Sequence, residues 1–121
     1  SDITMSLVQT VMKDLMLSEE ANVIAPTEII AQTAQYFELT VEDLYGSSRS
    51  QTIALARQIA MYLCRELTNL SLPKIGQLFG NRDHTTVMYA NKKISDLMKE
   101  RRSIYNQVTE LTSRIKQQYS Y

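Results

Sequence analysis

Apolar residues recur along this chain at three- and four-residue intervals rather than alternately, a spacing that predicts helices throughout and no strand. Residues 3–17 place Ile3, Leu7, Val8, Val11, Leu15 and Met16 on one helical face, and the polar, acidic stretch from Ser18 to Asn22 then breaks the pattern as a linker. Pro26 opens a second helix where its missing N–H costs nothing, with Ile29, Ile30, Thr33, Ala34 and Phe37 as its buried stripe. Thr40 and Asp43 have capping-box spacing, so a short helix carrying Val41, Leu44 and Tyr45 is expected to end at Gly46. Ser47 to Thr52 reads as an exposed loop carrying Arg49.

The longest helix is expected from about Ile53 to Leu70. Ile53, Ala56, Ile59, Ala60, Leu63, Leu67 and Leu70 would lie inside it, and Arg57, Met61 and Arg65 outside. Ser71 caps a short helix with Pro73 in its first turn and Ile75, Leu78 and Phe79 buried, and Gly80-Asn81 stops it. Asp83 caps the next helix, which runs to about Lys99 and buries Val87, Ala90, Ile94, Leu97 and Met98. A last helix carries Ile104, Val108, Leu111 and Ile115.

Composition narrows the class. With 121 residues and 13.9 kDa, the chain suits a single domain, and no apolar run approaches the roughly 20 residues of a bilayer span. A lone Cys64, and a start at Ser1 without initiator Met or secretory signal, fit a reducing, cytoplasmic setting and a processed chain or a piece of a longer one. The formal net charge of zero conceals a division. Residues 1–46 hold eight acids against Lys13 alone, whereas residues 47–121 hold twelve Lys and Arg against five acids. That asymmetry fits a polyanionic partner for the basic half, or equally an attraction between the halves within the fold.

Two helices joined by a tight Gly-containing turn, Leu72 to Phe79 and Asp83 to Lys99, match a helix-turn-helix, whose second helix enters the DNA major groove. Arg82-Asp83-His84-Thr85-Thr86 would present polar side chains at the tip of that helix. Asp83 suits a cytosine amine as well as the helix's own N–H groups, His84 a purine N7, and Thr85 and Thr86 a thymine methyl or a hydroxyl contact. Arg57, Arg65, Lys74, Lys92 and Lys93 are candidates to hold phosphates, and Arg49 a candidate for an adjacent minor groove. An Asp83–His84 catalytic dyad is not expected, because neighbours at i and i+1 on a helix do not face each other and no activated nucleophile is identifiable.

The run from Arg57 to Leu63, Glu66-Leu67-Thr68, Ser71 to Gly76, and above all Gly80-Asn81-Arg82-Asp83-His84-Thr85-Thr86-Val87 resembles the C-terminal DNA-binding domain of the bacterial replication initiator DnaA. The likeness covers residues 26–117. It implies an all-α, Trp-repressor-like helix-turn-helix domain over residues 26–121, preceded by a linker helix over residues 1–25 at the end of an upstream ATPase lid. It also implies recognition of short asymmetric nine-base DnaA boxes in duplex DNA at the replication origin. The implied major-groove residues are Pro73, Asp83, His84, Thr85 and Thr86, and the implied minor-groove residue is Arg49. Arg57, Gln58, Arg65 and Lys93 are the implied backbone contacts, and Leu72 falls where the family makes an apolar contact beside the bases. Gln51 and Leu55 stand where members carry basic residues, so the loop here is less basic. No Gly-x-x-x-x-Gly-Lys-Ser/Thr phosphate loop occurs, so no ATP binding, no cofactor and no enzymatic activity is expected of this chain. One monomer per box is expected, with oligomerisation of the full-length initiator through domains absent here, and no membrane partner. The competing readings are a helical protein-interaction module whose basic face docks an acidic partner, and a dimeric repressor bound to palindromic sites.

Overall fold

The computed structural model describes residues 24–117. The expected helix over 3–17, the acidic stretch after it and residues 118–121 lie outside the described residues. The described chain is helical, with α1 at Pro26–Tyr36, α2 at Val41–Tyr45, α3 at Gln51–Leu67, α4 at Leu72–Leu78, α5 at His84–Glu100 and α6 at Arg102–Gln117. Among the described residues there is no strand.

Local chemistry sets the boundaries. Pro26 takes the first position of α1, whose stripe Ile29, Ile30, Thr33 and Ala34 is buried; the Thr33 hydroxyl is satisfied by donating to the Ile29 carbonyl at 2.7 Å. Phe37 lies just past the helix end and is half-buried, edge-on to Tyr36. The capping box of α2 is complete: Thr40 Oγ1 accepts from the Asp43 N–H at 3.1 Å, and Asp43 Oδ2 accepts from the Thr40 N–H at 3.0 Å.

The long helix α3 starts two residues before the expected Ile53 and stops three before Leu70. The Thr68 hydroxyl donates back to the Cys64 carbonyl and accepts the Leu70 N–H at 3.2 Å, which turns the chain out of the helix. Ile53, Leu67 and Leu70 are accordingly half-buried. Arg57 and Met61 do not lie outside, as the sequence pattern predicts, but inside. Helix α3 is packed by α1, α2, α4 and α5, so its apolar face is far wider than one stripe.

Ser71 Oγ accepts the Lys74 N–H at 3.3 Å to cap α4, and Ile75 and Phe79 are fully buried while Leu78 is half-buried. Helix α5 lies on α3 and α4 and buries Val87, Ala90 and Ile94, with Leu97 and Met98 partly covered; α6 closes on α1 and α5 through Ile104, Val108, Leu111 and Ile115. Ile59, Leu63, Ile75, Phe79, Val87 and Ile94 are buried in one core cluster to which α3, α4 and α5 contribute, and each such burial contributes about 1.5–3 kcal/mol. No helix among the described residues is long and apolar enough to cross a membrane.

Candidate nucleic-acid interface

The turn between α4 and α5 is built from three sequence features. Gly80 at φ +79° and Asn81 at φ +60° reverse the chain through left-handed conformations, which Gly and Asn adopt at least cost. The Arg82 N–H then donates to the Gly76 carbonyl at 2.8 Å. This approach is so close that a Cβ on Gly76 would stand 2.1 Å from the Arg82 carbonyl oxygen. Only glycine lets α4 and the turn approach this closely.

The Arg82 guanidinium donates to the carbonyls of Phe79, Gly46 and Tyr45, the last at 3.1 Å, and so fastens the turn to the end of α2. Its cation is therefore committed to the backbone and is not one of the presented polar side chains that the sequence reading grouped with Asp83 to Thr86. Its partners on the end of α2 lie 36 and 37 residues away, a pairing that no local periodicity carries.

Asp83 is the N-cap of α5. Its carboxylate accepts the Thr85 N–H at 3.1 Å and lies 2.8 Å from His84 Nδ1. These interactions hold it below the usual carboxylate range, chiefly through the Thr85 backbone hydrogen bond and also through the His84 charge. The contact with His84 reverses the expectation that the two would not face each other. Asp83 has extended, non-helical backbone angles, so the spacing rule for neighbours within a helix does not apply to it. With Nδ1 directed at Asp83, the outward ring nitrogen of His84 is Nε2. Beside this pair Thr85 and Thr86 are exposed, and the α5 tip thus presents a carboxylate, an imidazole and two hydroxyls to solvent.

The remaining candidates fall into groups. Pro73 and Lys74 are exposed in the first turn of α4, which packs on α5, while Leu72 is half-buried against the core. Lys92 reaches Asp96 one turn on at 3.4 Å, and Lys93 stands 6.0 Å above the ring of Tyr89, which is 61% exposed. Arg49, Gln58 and Lys93 line one cleft between the first turns of α3 and the later turns of α5. Arg65 is exposed near the other end of α3, without an ion pair among the described residues.

Arg57 belongs to none of these groups. Its Nε donates to the Leu44 carbonyl at 2.9 Å, and its terminal nitrogens reach Asp43 and Ser48 carbonyls at 3.2 and 3.4 Å. Burial, with the neighbouring charge of Arg82, lowers its affinity for a proton. Arg57 and Arg82 thus both serve the segment that ends α2 and leads toward the Arg49 loop. Among the described residues no group of three or more His, Cys, Asp or Glu could hold a metal.

A family model described as the bacterial dnaA protein helix-turn-helix matches residues 26–94. Chromosomal replication initiator proteins DnaA resemble the chain closely: that of Leifsonia xyli is 80% identical over 97% of the chain, that of Clavibacter sepedonicus 79% over 98%, and that of Cutibacterium acnes 57% over 95%. The chain spans about a quarter of the length of these relatives, 23–25%. A crystal structure described as that of a DNA replication initiation factor superposes with a TM-score of 0.71 at 30% identity, over 88% of this chain and 32% of that one.

Proposed function

The chain belongs to the bacterial DnaA family through its helix-turn-helix domain, and from that membership we propose that it reads DnaA boxes in duplex DNA at the replication origin. The observation that carries the reading is the rigid presentation of the α5 tip: Gly76, the Gly80-Asn81 turn and Arg82 hold His84, Thr85 and Thr86 exposed on the first turn of a long helix. A recognition helix engages base edges with its N-terminal residues in this way.

In the proposed complex Asp83, His84, Thr85 and Thr86 face the major groove, with Pro73 and Leu72 beside them. Lys74, Arg65, Lys92, Lys93 and Gln58 contact phosphates, and Arg49 enters the neighbouring minor groove. Arg57 supports this surface from within. With Nδ1 facing Asp83, His84 meets the base edge through Nε2. The domain binds as one monomer per asymmetric box, takes part in no catalytic step, and acts in the cytoplasm.

Titration of the chain into a labelled box duplex and its scrambled counterpart across a salt series tests the reading. Four cations on phosphates, or five with Arg49, give a log–log salt slope of about −3.6 to −4.5. The box is preferred about 10³-fold or more. Equal binding to both duplexes rejects it, and a palindrome bound by two copies replaces it with the dimeric alternative.

A further inference from the structure

A second set of cations borders the cleft between α3 and α5. Arg49 stands on the loop side, Lys93 and Arg101 on the α5 side, Gln51 and Gln58 contribute carboxamides, and no acid lines it. Arg101 is the C-cap of α5. Its N–H donates to the Leu97 carbonyl at 2.8 Å, which fixes its backbone, while its side chain is exposed and makes no hydrogen bond or ion pair among the described residues.

Two other exposed cations pair with an acid one turn away: Lys92 with Asp96 at 3.4 Å and Arg114 with Glu110 at 2.8 Å. The nearby acids border different depressions: Glu100 one with Lys99 and Arg102, and Asp96 and Glu100 another with Lys92 and Lys93. Arg49, Lys93 and Arg101 are therefore three like charges around one cleft with no acid between them, an arrangement that an anion relieves. Eight residues separate Lys93 from Arg101, roughly 12 Å of helix. That is long enough to follow more than one phosphate of a strand whose charges repeat every ~3.4 Å of axis.

We propose that Arg101 is a further phosphate contact: with Arg49 and Lys93 it holds the strand leaving the box beside the minor groove, so that the bound duplex extends past the bases α5 reads. The inference rests on the DNA-binding reading above. It adds a residue near the far end of α5, opposite the tip that reads the bases.

The test uses the whole chain, a box duplex with long flanks, and the same box trimmed flush on the Arg49 side. Arg101→Ala on the flanked duplex is expected to make the salt slope shallower by about 0.9, the increment of one phosphate contact. It should weaken binding roughly three- to tenfold, and equally for box and scrambled sequence. On the trimmed duplex the variant and the wild type should bind alike. Arg114→Ala, which removes a charge already paired away from the cleft, should change neither slope nor affinity. The melting temperature of Arg101→Ala should match the wild type, whereas Arg114→Ala also gives up the contact of its guanidinium with the Tyr36 ring at 5.1 Å and should melt slightly lower.

An unchanged slope for Arg101→Ala overturns the inference, as does a loss that persists undiminished on the trimmed duplex. In a parallel titration with poly-glutamate, binding by the wild type that Arg101→Ala loses while its DNA binding stays intact would overturn the inference and reassign the cleft to an acidic protein. A wild-type chain indifferent to the box would refute the box reading alone, because the slope change remains readable on any flanked duplex.

Discussion

Arg57 is a cation used as a structural tie. Its guanidinium satisfies carbonyls of Asp43, Leu44 and Ser48 that the end of α2 and the following loop leave without helical partners. Arg57→Ala should therefore destabilise the fold by about 2–4 kcal/mol, because buried carbonyls lose their donors. Its effect on DNA binding should follow from that loss. Urea denaturation checks this: a midpoint equal to the wild type's would return Arg57 to the surface role that periodicity gives it. Asp83 makes a separate prediction. Its folded proton affinity is depressed, so the cap contributes stability that is present above the ordinary Asp value near 4 and is lost as the pH falls through the still lower folded value. The melting temperature of the wild type minus that of Asp83→Asn should stay flat from pH 8 to 5 and fall in more acidic buffer. A difference that changes mainly between pH 6 and 8 would show that the carboxylate is not what titrates.

The helix-turn-helix is where sequence and structure agree most, and where they part most instructively. Ser71, Asp83, Gly80 and Asn81 announce their roles in one dimension, because caps and left-handed turns are decided by neighbours within about four residues. Gly76 does not announce itself, being an unremarkable small residue in a short helix until the Arg82 carbonyl is seen against it. Arg57 and, apart from its bond to the Phe79 carbonyl, Arg82 were illegible for the same reason, since their partners lie nine to 37 residues away. Gly76→Ala should cost on the order of 3 kcal/mol or more by overpacking the α4 turn. Asn81→Ala, which loses only tolerance for φ +60°, should cost about 1–2 kcal/mol. Asn81→Gly should be close to neutral. Should thermal melts rank Asn81→Ala as the worse variant, the close approach at Gly76 is not what constrains this corner.

The whole domain is organised around α3, and Cys64 near its C-terminal end reports on that organisation. The thiol is fully buried, and burial pushes its proton affinity up to about 12, so the native state offers almost no thiolate and no access to reagent. A lone cysteine in a helical stretch reads as a packing residue; its inertness requires four helices packed on α3, which no segment of sequence displays by itself. Alkylation at pH 8 should then proceed only through molecules in which the packing around α3 has opened. Its rate becomes a measure of the stability of the whole domain. A ligand that binds the folded form alone lowers the open population by the factor 1 + [L]/Kd. Box duplex at 100 times its Kd should thus slow Cys64 modification about 100-fold, with scrambled duplex at the same concentration giving far less protection. The protection should appear although Cys64 lies in the core, because α5 packs on α3 and Arg82 ties its turn to the end of α2, so α3 does not open without disturbing the recognition helix. Rapid alkylation that box DNA leaves unchanged would mean that α3 opens without disturbing the recognition helix, and the single cooperative core argued from its packing would have to be divided.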